Sequence, residues 1–467
     1  MYERLSFLDS TFLAMEGVNN PMHVGATLVF APGDLGTAAG GIDIEPIRRF
    51  IGNRLQYVPR YRQRLEWIPV ERHPVWVDDA AFDLGYHVRH IALPRPGDDA
   101  QLRTLAGSLL SRSLDRTRPM WEIWVVEGLA DGGFALVSKV HHCMVDGIGG
   151  VDLMKVLLSP EPTDDVGVTE VFDPRPAPTR SQLFADELSR RMRAPRQAMQ
   201  GARKLVEESR LMGDELRQRL MSMTASARSG WFSRASATPL NHKIGPNRRV
   251  DFLHTALDDV KAVKNAHGGT VNDVVIAAVA GAVRAFLIAE RDHDPADLDF
   301  RAMVPVSTRG EWPLTDSANA VTMWLVDLPI GEPDPIARYL AIRERTDHLK
   351  ETGQATGAAL LTQTASFTPA TVLSVAARVA AATARPFNMT VTNVPGPQIP
   401  LYLLGSQLRH IYPVVPLWVN HGIGVALFSY DGALDWGIMA DWDTVPDIDR
   451  FTFHLRHSID ELHALSR

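Results

Sequence analysis

The chain has 467 residues and a mass of 51.6 kDa, too long for one ordinary hydrophobic core, so two domains are expected. Hydrophobic residues make up 45% and charged residues 22%, a soluble globular balance, and a formal net charge of -7 leaves no basic footprint for nucleic acid. The single cysteine, Cys143, excludes an intramolecular disulfide and a cysteine-based zinc site, and it favours a reducing, cytoplasmic setting.

In chain order, Met1-Tyr2-Glu3-Arg4-Leu5-Ser6 lacks the basic and long apolar regions of a signal peptide. Residues 22–31 (MHVGATLVFA) are rich in β-branched types and predict a strand. Residues 44–57 and 100–114 carry apolar side chains at helical spacing. Pro119 precedes a predicted strand at 121–127, and Asp131-Gly132-Gly133 turns the chain into another at 134–141. Prolines 160, 162, 174, 176 and 178 among acidic residues then mark a linker.

Residues 181–250 hold 14 Lys/Arg against 6 Asp/Glu, a net of +8, so the remainder carries -15. This basic region reads either as a crossover helix packed on the acidic remainder or as an amphipathic contact with an anionic membrane. Its Met and Leu residues and Trp231-Phe232 suit the second reading. Beyond residue 247 the pattern predicts helices at 271–288, 335–350 and 355–384, and strands at 301–307, 321–328, 388–394, 423–430 and 434–440. No run of about 18 strongly apolar residues is expected. The uncharged stretch between Glu351 and Arg378, interrupted by Pro369, reads as a buried or interfacial helix. The expected organisation is an α/β protein with a first lobe at 1–165, a linker and crossover at 166–246, and a second lobe at 247–467.

The chemistry concentrates in Val140-His141-His142-Cys143-Met144-Val145-Asp146-Gly147, at the end of the 134–141 strand. Adjacent histidines on a strand face opposite ways, so one of them can face a cleft while the other is a core residue. Asp146-Gly147 makes a tight turn, and Asp146 four residues after His142 can hold its tautomer. A metal site on His142 and Asp146 lacks a third ligand at motif spacing, and no HExxH occurs. No GxSxG elbow or P-loop is present, Gly147-Ile148-Gly149-Gly150 is no dinucleotide fingerprint, and Cys143 on a strand would face away from His142. General-base catalysis without a covalent intermediate remains.

His141-His142-x-x-x-Asp146-Gly147 resembles the active-site motif of the coenzyme-A-dependent acyltransferases, which include chloramphenicol acetyltransferases and peptide-synthetase condensation domains. Further stretches resemble the bacterial wax ester synthase/diacylglycerol acyltransferases, especially the mycobacterial-type triacylglycerol synthases. These are Leu5-Ser6-x-x-Asp9-x-x-Phe12-Leu13, Pro21-Met22-His23-Val24-Gly25, Arg118-Pro119-Met120-Trp121-Glu122 and Val271-Asn272-Asp273-Val274. Val304-Pro305-Val306-Ser307-Thr308-Arg309, Asn319 with Leu328-Pro329, and Thr392-Asn393-Val394-Pro395-Gly396-Pro397 continue the pattern. Met120 stands where leucine is common, a volume-conserving departure.

The resemblance implies two chloramphenicol-acetyltransferase-like lobes with a tunnel between them, and His142 as the base. His142 would take a proton from an alcohol as its oxygen attacks an acyl-CoA thioester. His141 would accompany it, and Asp146 with Gly147 would fix the turn. Asn272, Asp273, Ser307 and Asn393 are the candidates for contacting substrate or the oxyanion, although Asn272 also suits a helix cap and Asn393 a turn. Acyl-CoA is the implied cosubstrate, with no resident cofactor or metal, and diacylglycerol or a fatty alcohol is the acceptor. A peripheral membrane or lipid-droplet surface is a further expected partner, and nucleic acid is not. The alternatives are a condensation-type enzyme using carrier-bound acyl groups and a non-catalytic lipid-binding protein of the same fold.

Overall fold

The computed structural model of the chain describes residues 2–33, 35–37, 41–145, 153–163, 165–167, 172–190, 192, 234–307, 321–351 and 385–466. Its first strands are β1 (Glu3–Arg4), β2 (His23–Phe30), β3 (Gln63–Trp67), β4 (Pro74–Asp78), β5 (Val88–Ala92), β6 (Trp121–Glu127) and β7 (Phe134–His141). There follow β8 (Arg248–Ala256), β9 (Phe300–Ser307), β10 (Val321–Leu328) and β11 (Met389–Pro395). The last are β12 (Tyr402–Leu403), β13 (Ser406–Val414), β14 (Ile423–Tyr430) and β15 (Ala433–Asp441). They form a small sheet β1-β4-β3 and two six-stranded sheets, β12-β13-β2-β7-β6-β5 and β10-β9-β11-β14-β15-β8.

The expected β6–β7 hairpin is present, with Trp121 opposite Val140. Gly132 takes φ +80 in the turn, and Asp131 Oδ1 accepts the Gly133 N–H at 2.9 Å. The first half of β7 is continuously apolar, and successive residues Phe134, Ala135, Leu136 and Val137 are all buried, so both faces of the strand are covered there. The helix expected over 44–57 runs as Ile44–Arg54 and tightens into a 3-10 turn at Leu55–Tyr57.

The second lobe is built around helix Val271–Arg291. Thr270 caps it by accepting the Asp273 N–H while Asp273 accepts the Thr270 N–H, a reciprocal capping box. By length and composition this helix could cross a membrane, contrary to the expectation that no such run exists. However, 72% of its apolar window is buried, against helices Pro335–Glu351 and Ile448–Ala464 among others. It is the core helix of a globular lobe.

The sheets do not follow the chain in two uninterrupted blocks, since β12 and β13 belong to the first sheet. After β11 the chain returns to the first sheet as β12 and β13, with Tyr412 opposite Thr27 of β2, and then re-enters the second sheet as β14. The sheets touch tightly there, since a Cβ on Gly437 of β15 would stand 1.8 Å from Pro413 O of β13. A second junction joins helix Asp99–Ser111 to β8. Gly107 allows close approach to the Arg248 carbonyl, and the Arg248 N–H donates to Ser111 Oγ at 2.8 Å. The buried Arg248 guanidinium donates to Asn19 O and faces the buried carboxylate of Asp441 at 3.5 Å.

Residues 180–190, inside the expected linker and crossover, are helical. Leu183 is buried against the small sheet while Phe184 and Leu188 are exposed. Residues 193–233 of the basic region, including Trp231-Phe232, and all of the helix expected at 355–384 lie outside the described residues.

Candidate active site

Helix Phe7–Met15 begins where Ser6 accepts the Asp9 N–H at 3.1 Å and donates its hydroxyl to Asp9 Oδ2 at 2.6 Å. It ends by delivering Phe12 and Glu16 to the point where β7 stops. β7 terminates at His141, and a short helix His142–Val145 takes over. The His141 N–H donates to Met120 O at 2.9 Å and the His142 N–H to Met22 O at 2.8 Å. Two quoted sequence stretches, around Pro21-Met22 and Pro119-Met120, thus anchor the backbone of both histidines.

The His142 ring lies against Phe12, with centroids 3.9 Å apart and an interplanar angle of 21°. Burial is the main force on its titration, reinforced by the neighbouring His141. Together they pull it down to about 4, against a smaller upward pull from a hydrogen bond to its own backbone. At neutral pH the imidazole is therefore uncharged and able to accept a proton.

His141 has a different environment. It is buried, and its Nδ1 accepts the Cys143 N–H at 3.2 Å, which leaves Nε2 as the ring's donor. That Nε2 lies 3.6 Å from a Glu16 carboxylate oxygen. Burial would raise Glu16, but His141 and Arg116 outweigh it and hold the carboxyl at about 2. Glu16 also accepts the Met22 N–H at 3.2 Å. It thereby ties the Met22 segment, Arg116 and His141 into one network. His141 supports the junction, and His142 is the member of the pair whose ring is held by an aromatic face.

Cys143 corrects an expectation. It sits on the helix and not on the strand, so alternation does not govern its direction. Its Sγ lies 3.0 Å from His141 Nδ1. The contact has the look of a Cys–His dyad, but the thiol is fully buried with Asp9 and Glu16 nearby, and burial pushes its pKa well above the usual value. A thiolate nucleophile is disfavoured there.

The second-lobe candidates separate as well. Asp273 is 1% exposed, and its two carboxylate oxygens accept from Thr270 and Thr346, the latter at 2.7 Å. Both oxygens are thus engaged, in a cap and in a tie to Thr346. Asn272 is half-buried in the first turn of the same helix, while Thr270 takes the cap position. Ser307 closes β9 opposite Val321, and half-buried Asn393 stands on the neighbouring β11 opposite Leu427. Asp146 and Gly147 lie outside the described residues, as do Thr308, Arg309 and Asn319. Phe12, Glu16 and Arg116 were not singled out from sequence, although Phe12 stood within a stretch that carried the family resemblance.

Residues 5–275 match the wax ester synthase/diacylglycerol acyltransferase catalytic domain, and residues 317–463 match the C-terminal domain of the same family. A Mycobacterium tuberculosis H37Rv protein, named as a probable diacylglycerol O-acyltransferase, is 33% identical over 468 residues, covering 99% of this chain and 96% of the relative. A second relative from that strain, also carrying a diacylglycerol O-acyltransferase name, is 34% identical over 469 residues, covering 98% and 99%. Among solved structures, the wax ester synthase/diacylglycerol acyltransferase of Marinobacter aquaeolei VT8 aligns with a TM-score of 0.68 at 28% identity, covering 99% of each chain. The starter condensation domain of rhizomide synthetase, solved with C8-CoA, shares the fold at a TM-score of 0.59 and 12% identity, covering 100% of this chain and 95% of that one. The chain therefore belongs to the wax ester synthase/diacylglycerol acyltransferase family, and it carries that family's two-lobed acyltransferase fold.

Proposed function

We propose that this acyltransferase esterifies a lipid alcohol with the acyl group of acyl-CoA, and that His142 is its general base. Diacylglycerol is the favoured acceptor, because mycobacterial relatives alike over the whole chain bear that activity in their names. The observation that carries the reading is the neutral imidazole of His142, packed flat on Phe12 and pinned by its N–H to Met22.

In this mechanism the acceptor hydroxyl gives its proton to His142 as its oxygen attacks the thioester carbonyl carbon. The tetrahedral oxyanion then collapses, the C–S bond breaks, and the coenzyme A thiolate takes the proton from the imidazolium. A base held at about 4 is weak towards an alcohol in isolation. Here the imidazolium and the oxyanion would form together in one water-poor site, each favouring the other, and second-lobe donors such as Asn272, Ser307 and Asn393 would complete the stabilisation. No enzyme-bound acyl group is needed.

The test is transfer of labelled palmitoyl-CoA to a panel of diacylglycerols, fatty alcohols and amines. His142→Ala should lower kcat by at least ~10²-fold, the scale for losing a general base, while Cys143→Ala should stay within a few-fold. Activity of His142→Ala close to wild type would refute the assignment.

Peripheral attachment to an anionic membrane or a lipid-droplet surface, from the cytoplasmic side, is the accompanying proposal. It is supported by the +8 charge of 181–250 and by Phe184, Leu188 and Met192, which are exposed at helical spacing at its start. Deleting 185–235 should abolish co-sedimentation with anionic liposomes, and unchanged binding would sink the idea.

A further inference from the structure

Away from His142, where the two large sheets meet, three metal-capable side chains converge from three strands. Asp435 of β15 is completely buried. Its Oδ1 faces His254 Nδ1 at 2.8 Å and His410 Nδ1 at 3.3 Å, and its Oδ2 accepts the Ile411 N–H at 2.8 Å. His254 stands directly opposite Asp435 in the β8–β15 register. His410 arrives from the other sheet on β13, at a register shift in its pairing with β2.

A buried carboxylate requires compensation, usually from arginine or lysine. The described ion pairs of Asp435 are with the two histidines alone. The rings lie edge to face, 4.7 Å between centroids and 73° between planes, which aims both Nδ1 atoms at one oxygen. The three ligand atoms lie within 4.8 Å of one another.

We propose that His254, His410 and Asp435 form a binding site for a first-row divalent transition ion. The ion would clamp β13 of the first sheet to β8 and β15 of the second.

Tetrahedral zinc with bonds of ~2.0–2.2 Å to nitrogen and oxygen requires ligand atoms ~3.3–3.5 Å apart. The His410 contact at 3.3 Å already has that spacing, and the His254 contact at 2.8 Å needs only a small outward shift. On binding, each imidazole keeps a proton on Nε2 and offers its Nδ1 lone pair, any displaced proton leaving to solvent, so no oxidant is involved. The donor set of two imidazoles and a carboxylate suits zinc and its neighbours over magnesium or calcium. His254 is 47% exposed and His410 32%, which provides an entry path and leaves a fourth position for water. Second contacts hold the ligands in place. Arg456 donates to the His254 carbonyl at 2.9 Å, and Tyr412 stacks on His410 at 5.5 Å.

The experiment uses the full chain, dialysed against a chelator and titrated with zinc chloride in competition with a chromophoric chelator, with thermal melts at each zinc level. Wild type should take up one zinc per chain, and its Tm should rise with zinc concentration, as for any ligand that binds the folded state preferentially. The His254→Asn/His410→Asn double variant should lose that stoichiometric zinc and the zinc-dependent rise together. Should it fail to melt cooperatively, His410→Asn alone, at a partly exposed position, provides the same comparison. The proposal is overturned if wild type binds no more zinc than the variant, or if the variant keeps the stoichiometric ion. Calcium should leave the melt unchanged, and a calcium rise equal to that of zinc would equally overturn the assigned ion class.

Discussion

Phe12 and His142 stack with ring centroids 3.9 Å apart and planes 21° from parallel, and this contact both orients the imidazole and excludes water from one of its faces. Phe12 is 3% exposed on a helix held by the Ser6–Asp9 cap, so the ring is placed by local sequence as much as by packing. Phe12→Leu keeps an apolar side chain and loses the flat face. It should lower kcat by ~10-fold or more, since small misplacements of a catalytic group are costly. Water reaching the ring would also raise the imidazole from about 4 towards its ordinary 6.5, moving the acid limb of the kcat/KM profile up with it. A purely structural role would lower Tm and leave that limb where it was, so an unmoved acid limb would refute the positioning role.

The depressed titration of His142 has a consequence for wild type. Its base form persists well below neutrality, so kcat/KM should hold between about pH 6.5 and pH 5 and fail only towards pH 4. Stability runs the other way. His23, held at about 3, and His73 and His142, each held at about 4, all take protons more readily when the chain unfolds. Their contribution is complete above about 6.5 and is lost progressively as pH falls towards 4. Glu16, held at about 2, adds a loss below about 4.5 in the same direction. Urea midpoints at pH 7.5, 5.5 and 4.5 should therefore fall in that order. A midpoint constant from 7.5 to 5.5 would contradict the buried-neutral state of these histidines.

Much of this was legible in the sequence where local pattern suffices. The β6–β7 hairpin, the core helix opened by Thr270 and the β14–β15 pair follow from short-range periodicity and turn chemistry. The return of β13 to the first sheet does not, because pairing Tyr412 with Thr27 is a contact between residues far apart in the chain, with no local signature. The helix Ile448–Ala464 is masked in the sequence by its many polar residues, although Phe451, Leu455, Ile459 and Leu462 form one buried stripe. At the site, the histidine pair was visible as a motif, but not its environment. Alternation treated Cys143 as part of the strand, whereas β7 ends at His141 and Cys143 lies on the helix, its Sγ still beside His141. Glu16 carries no motif at all, and its role depends on Arg116 and His141 meeting it in three dimensions.

Asp273 separates a structural from a chemical reading of the Asn272-Asp273 pair. Both of its oxygens are engaged, by Thr270 and by Thr346, and the residue is buried. Asp273→Ala removes the reciprocal cap and leaves the Thr346 hydroxyl without that acceptor, which should cost about 1–3 kcal/mol by urea unfolding. The activity of the remaining folded protein should stay within a few-fold of wild type. Unchanged stability with a ~10²-fold loss of kcat would return Asp273 to the catalytic set.

The crossing of the sheets at Gly437 sets the geometry on which the interlobe contacts depend. A Cβ at this position would stand 1.8 Å from Pro413 O and 2.8 Å from its carbonyl carbon, so any side chain must force β13 away from β15. Backbone on both sides leaves no flexible group to yield. Gly437→Ala should therefore destabilise the protein by at least ~2 kcal/mol, a typical overpacking cost. Gly36→Ala is the control, because among the described residues its added Cβ would meet only the Gly33 carbonyl, at 3.8 Å, and it should remain within ~0.5 kcal/mol of wild type. Equal urea midpoints for the two variants would mean that the strands separate freely at the crossing. In that case the approach of β13 to β15 would not be what holds the first sheet against the second.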